Sequence, residues 1–311
     1  MSSGVLRTEE ARFAQLEDFA FTPRYVSLED RRFGTLRMAA IDEGPRHAPV
    51  ALLLHGEPTW SYLYRRIIPR VTRAGFRAVA PDFIGFGRSD KLPRRGDYSY
   101  AAFVGWLREF VAALDLRRVT LVCQDWGGPI GLSVLAQAPQ RFAAVLAANT
   151  LLPNCEPPPR GIRDWPGPLI ENWVATAAAA NDLPVSGIIA AVCRRAPSAA
   201  ALAAYDAPFP DASFKAAVLA FPGLIPLRAA MPGIAENRAV WTVLESFTRP
   251  FVTAFSDGDP TTAPWAEVFR ARVPGAAGEP HPIIRDAGHF LQEEQGEALA
   301  EVLVALLGRA P

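Results

Sequence analysis

The chain has 311 residues, half of them hydrophobic and 21% charged, with Lys plus Arg and Asp plus Glu both at 32. That supplies the core of one large domain with an insertion, and nothing in it resembles a low-complexity or disordered chain. A formal charge of zero, with no basic run interleaved with aromatics, argues against nucleic-acid or anionic-membrane partners and points to a neutral substrate.

Taken in chain order, the start "MSSGVLRTEEARFAQLEDF" is too polar and acidic for a signal peptide. "TLRMAAID" (35–42) reads as an antiparallel strand ahead of the main series. "PVALLLH" (49–55), "FRAVAPD" (76–82), "RVTLVCQ" (118–124) and "FAAVLAANT" (142–150) read as buried strands. "WSYLYRRIIPRVTRA" (60–74), "YAAFVGWLREFVAAL" (100–114) and "GPIGLSVLAQAP" (128–139) read as the helices between them. Apolar strands separated by helices imply a mostly parallel sheet flanked by helices, an α/β fold. From 151 to 230 the texture turns to proline and alanine with no strand pattern, a helical insertion. Its "WVATAAAA" falls far short of the roughly 20 apolar residues of a membrane span. The sheet resumes at "RPFVTAFSD" (249–257); "HPIIRDAGH" (281–289) reads as the last strand and "FLQEEQGEALAEVLVALLG" (290–308) as the closing helix. Three cysteines, Cys123, Cys155 and Cys193, have no metal-ligand spacing and an odd count makes a poor disulfide framework. The expectation is a cytoplasmic monomer without metal, cofactor or membrane contact.

Ligands of open α/β sheets bind beyond the carboxyl ends of the strands. There the sequence puts His55-Gly56-Glu57-Pro58, Asp82, Asp125, Asp257 or Asp259, and His289. "C-Q-D-W-G" places Asp125 in a small-x-nucleophile-x-small turn between strand and helix. A carboxylate is already ionised near neutral pH, so it attacks saturated carbon without a base and becomes an alkyl ester. An Asp at such a junction also commonly caps the following helix, and position alone leaves both readings open. His289, one of four histidines, can activate water against that ester if a carboxylate holds its far nitrogen. Asp259 is the natural partner and Asp257, two residues away, the rival. The backbone N–H groups of Glu57 and Trp126 would form an oxyanion hole, with the His55 side chain structural behind the loop.

Together these residues resemble the haloalkane dehalogenases of the α/β-hydrolase fold. The similarity runs from "HGEPTWSYLYRRIIP" through "PDFIGFGRSDK", "QDWGG" and "AYDAPFPDASFKA" to "DAGHFLQE", nearly the whole chain. The resemblance implies a core of residues 1–150 and 231–311, with a helical cap, 151–230, inserted after strand 6. It implies Asp125 as nucleophile, His289 as base and Asp259 as acid after strand 7, with a small neutral halogenated hydrocarbon and water as substrates and an alcohol, a proton and halide as products. It also implies two indole N–H donors on the departing halide, which suits a donor that cannot accept. One is Trp126. The other is Trp173 or Trp165, and the spacing to "NDLP" favours Trp173, with Leu169, Ile170 and Val174 as cavity walls. A related group carries its acid after the sixth strand and an asparagine after His-Gly; here Asn149-Thr150 and Glu57 stand at those places.

Epoxide hydrolases share this fold and nucleophile but use two cap tyrosines, and 151–230 holds one, Tyr205. Fluoroacetate dehalogenases need arginines beside the nucleophile, where this chain has Trp126-Gly127-Gly128. A serine esterase fails on Asp125 itself. A catalytically silent binding protein is the remaining alternative, since fold does not fix function.

Overall fold

A computed structural model of the protein describes residues 4–160, 162 and 168–310. The sheet begins with a hairpin, β1 (Pro23–Asp30) and β2 (Gly34–Glu43). Four apolar strands follow: β3 (Val50–Leu54), β4 (Arg77–Pro81), β5 (Val119–Asp125) and β6 (Phe142–Thr150), buried along almost their whole length. The short β7 (Phe251–Thr253) closes a sheet of order β1-β2-β4-β3-β5-β6-β7. The pairings β1–β2 and β2–β4 are antiparallel and the others parallel. Strands this apolar need cover on both faces.

Helices α1 (Ile68–Arg73), α2 (Tyr100–Ala113) and α3 (Gly127–Gln137) lie between the central strands. Between β6 and β7 come α4 (Pro168–Ala179), α5 (Val185–Val192), α6 (Ala199–Asp206), α7 (Ala216–Leu224) and α8 (Ile234–Leu244), with no strand among the described residues. Helix α4 packs on α7 and α5 on α6, whereas α8 packs on α3. After β7, α9 (Ala263–Arg272) precedes α10 (Leu291–Leu307), which packs against α1 and β6. Among the described residues no helix is long and apolar enough to cross a membrane.

Three expectations are corrected. The strand over 281–289 reduces to one parallel bridge, Ser256 to Ile284. Pro280 and Pro282 have no N–H to give a ladder, and the Thr253 N–H is met by the His281 ring at 3.1 Å instead of a backbone carbonyl. The strand over 249–257 shrinks to β7 because the Ser256 N–H goes to the Asn149 side chain. The helix over 60–74 breaks into a 3-10 turn, Ser61–Tyr64, and α1, whose first turn holds Pro69. Proline removes the N–H that a continuous helix needs there but suits a helix start. Strand β1 escaped the sequence reading because one face is exposed and Arg24, Glu29 and Asp30 interrupt its alternation.

Candidate active site

Asp125 ends β5 with φ of +48°, a left-handed conformation that costs a non-glycine residue about 1–3 kcal/mol. Helix α3 starts two residues later, so the carboxylate stands at the tip of a sharp elbow. The turn is held by close packing: a Cβ on Gly127 would come within 2.4 Å of the Leu54 carbonyl oxygen, and one on Gly56 within 2.2 Å of Asp125 Oδ1. The Thr150 hydroxyl on β6 donates to the Asp125 carbonyl at 2.7 Å. Small residues are therefore a steric requirement of this turn.

The Glu57 backbone N–H, after β3, donates to Asp125 Oδ1 at 2.9 Å. Asp125 Oδ2 lies 3.6 Å from His289 Nε2, and His289 Nδ1 lies 3.0 Å from Asp259 Oδ2. Asp259 is buried and accepts the Thr261 backbone N–H at 2.9 Å together with the hydroxyls of Thr261 and Thr262. Burial alone would raise its pKa, but His289 and these hydrogen bonds hold the carboxyl below the usual carboxylate range. Burial would likewise lower the His289 pKa; the charges of Asp259 and Asp125 and their hydrogen bonds outweigh it and push the imidazole up to about 10. Asp257 is exposed and pairs with Arg194 at 3.3 Å. The structure brings Asp259, not Asp257, to His289.

The histidine loop is fixed from three sides. Asn149 Nδ2, at the end of β6, donates to the carbonyls of Gly288 and His289 at 3.0 Å. The His289 N–H donates to Val192 at the end of α5, and the Glu294 carboxylate accepts the N–H groups of Gly288, Arg194 and Arg195. His55 stands behind the β3 loop: its Nε2 accepts the Phe83 N–H at 3.0 Å, and burial lowers its pKa to about 4. Asp82 likewise braces loops, accepting the N–H groups of Ser61 and Arg88.

Asp125, His289 and Asp259 border a cavity of about 540 Å³. Trp126 and Trp173 both line it, with Leu151, Ile170, Ile188 and Ile225 among its apolar walls. Leu169 also lines it; Val174 does not. Trp126 is stacked on Phe221 at 4.9 Å between ring centroids. Trp165 lies outside the described residues.

Two groups escaped the sequence reading. The Glu57 side chain, and not only its backbone, lines the cavity, with Oε1 buried and without a hydrogen-bond partner. Burial first, then the Asp125 charge, push the pKa of its carboxyl well above the usual range. The only sequence signal was its place two residues after a strand-end histidine. Gln124, hidden inside an apolar strand, puts its amide nitrogen 3.0 Å from His289 Nε2.

A family model for the alpha/beta hydrolase fold matches residues 49–184. A haloalkane dehalogenase from Psychrobacter cryohalolentis is 44% identical over 307 residues, 99% of each chain. The chain belongs to the haloalkane dehalogenases. A second haloalkane dehalogenase, from Mycolicibacterium paratuberculosis, is 43% identical over 97% of each chain. Among solved structures, the tetrameric haloalkane dehalogenase DpaA from Paraglaciecola agarilytica NO2 matches with a TM-score of 0.84 and 34% identity, over 98% of this chain and 97% of that one. Full-length coverage in a dehalogenase series carries the likeness across the elbow, the histidine loop and the helices between β6 and β7 alike.

Proposed function

We propose that the chain hydrolyses small neutral haloalkanes through an alkyl ester on Asp125. One observation carries this reading: a carboxylate elbow opens into an apolar cavity that two tryptophans also line, with a His–Asp pair beside it. Asp125 attacks the halogen-bearing carbon; the carbon–oxygen bond forms as the carbon–halogen bond breaks, and halide leaves with the electron pair. The indole N–H groups of Trp126 and Trp173 meet the developing halide charge in surroundings poor in water. His289, oriented by Asp259, then takes a proton from water as it adds to the ester carbonyl, with the oxyanion against the N–H groups of Glu57 and Trp126. Collapse returns the Asp125 carboxylate and releases alcohol and a proton.

Residues 151–230 act as the cap in this reading, since α4, α5 and Ile225 just after α7 supply apolar walls of the cavity that Asp125 and His289 border. Every group named comes from one chain, so a monomer suffices. The exposed free thiol of Cys155 suits a reducing, cytoplasmic compartment. An epoxide hydrolase would need phenol donors in the cavity, whereas Tyr205 is buried and donates to Glu293 at 2.7 Å.

The test is to trap the ester. His289→Gln exposed to a bromoalkane should gain the mass of one alkyl group, on the peptide that holds Asp125. An unmodified protein that still turns over at the parent rate sinks the mechanism.

A further inference from the structure

Gln124 is the residue before the nucleophile, fully buried, and its side chain leaves β5 on the side where His289 sits. Its amide nitrogen lies 3.0 Å from His289 Nε2 and 3.3 Å from the His289 backbone carbonyl oxygen. The second contact settles the first. A carbonyl oxygen only accepts, so the NH₂ end of the amide faces it, and the same NH₂ group is then a donor toward Nε2. A ring nitrogen that accepts cannot carry a proton along that direction. The proton of the neutral ring is thereby sent to Nδ1, where the Asp259 carboxylate receives it at 3.0 Å.

We propose that Gln124 is a positioning residue whose N–H meets the Nε2 lone pair of the neutral His289 ring, favouring that form once Asp125 has been esterified, and gives the lone pair up to the attacking water as its proton is transferred. This rests on the reading above and adds the step it lacks. In the free enzyme the Asp125 charge, 3.6 Å away, favours the protonated ring, in which Nε2 carries a proton and cannot accept from Gln124; the donor contact belongs to the neutral ring. Esterification removes that charge, and the choice between neutral and protonated ring then falls to Asp259 on one nitrogen and Gln124 on the other. The remaining titratable or charged groups around the ring are Glu57 after β3, Cys193 and Arg194 after α5, and Glu293 and Glu294 on α10. Arg194 is engaged by Asp257 and Asp286. None of these groups is altered by a change at Gln124, so a shift in the His289 titration reports the lost donor.

Asp125→Asn mimics the charge state of the ester. In that background, with labelled histidine, NMR follows four rings: His47, His55, His281 and His289. Adding Gln124→Met, which keeps chain length but has no N–H, should raise the His289 midpoint by about one pH unit, the size expected for one hydrogen bond to the neutral form. Gln124→Glu, which also adds a negative charge, should raise it further. With Asp125 restored, single-turnover hydrolysis of the alkyl ester should show its acid limb moved upward by the same amount in Gln124→Met. If the ester never forms, the reading of Asp125 falls, yet the NMR midpoint still decides the role of Gln124. A midpoint unchanged in both folded variants, with ester hydrolysis slowed equally at every pH, makes Gln124 a packing residue and overturns the proposal.

Discussion

At the scale of single residues, the chemistry is set by what each carboxyl faces. The Asp259 pKa is held down by a histidine, two hydroxyls and an N–H around it; the Glu57 pKa is pushed up by burial and by another anion. His289 is raised by two carboxylates and must shed its proton to act, so the ester-hydrolysis step should gain rate as pH rises through the imidazole's midpoint. In the proposed mechanism, esterification of Asp125 removes one of those carboxylates and should lower that midpoint below its free-enzyme value. Replacing Asp259 by Asn removes the other and the tautomer control together. Asp259→Asn should therefore slow ester hydrolysis by up to about 10⁴-fold, as loss of the orienting acid does in the serine triad, and shift its acid limb to lower pH. Asp257→Asn should leave both unchanged, because Asp257 pairs with Arg194 at the surface. Rapid-quench measurement of the ester's decay across pH separates them, and the opposite ranking moves the acid role to Asp257. For the pair Asp257/Asp259 the family pattern already favours Asp259, and the course of the turn supplies the physical reason: it puts Asp259 on the histidine and Asp257 on Arg194.

At the scale of elements, helix α4 decides what the cavity feels. Leu169, Ile170 and Trp173 line the cavity and Val174 does not, as expected when one helical face is presented. An indole on that face adds a donor to an otherwise apolar wall. Trp173→Phe keeps the aromatic bulk and removes the N–H. It should weaken bromide binding, read by quenching of tryptophan fluorescence, and slow carbon–halogen cleavage by no more than the roughly 10²–10³ that one oriented oxyanion donor supplies. Quenching that survives in Trp173→Phe and disappears in Trp165→Phe would assign the second donor to Trp165. The long helices α2 and α10 and the buried strands were legible because periodicity and apolar runs are local signals. The strand over 281–289 and the helix over 60–74 misled for a local reason as well. Apolar content masked the prolines that remove ladder and helix hydrogen bonds.

At the scale of the whole molecule, one buried cluster ties three distant segments together. Arg65, after the Ser61–Tyr64 turn, makes two 2.7 Å hydrogen bonds to Glu293 of α10, and Tyr205 of α6 donates to the same carboxylate. The Arg65 and Glu293 side chains are 0% and 4% exposed, so neither charge has water as an alternative partner. Removing one charge of such a pair costs roughly 3–5 kcal/mol, whereas replacing both by apolar residues costs far less. Glu293→Ala should thus lower the unfolding free energy read from urea titration by that order, and Arg65→Met with Glu293→Leu should recover most of it. A double variant no more stable than Glu293→Ala would show that the cluster acts through packing and not through charge.

The sequence by itself determined the α/β alternation, the elbow that sets Asp125 at a strand end and the family to which the chain belongs. These follow from properties carried by neighbours in the chain: apolar periodicity, small residues where backbones touch, and proline and glycine at turns. Only the tertiary structure decided that the Glu57 side chain lines the cavity with an unpaired buried oxygen and that the Gln124 amide faces the imidazole. Those facts depend on distances between residues up to 165 positions apart and on how much water each group retains. Both are set when strand ends and the helices over them pack, and no short window of sequence contains them.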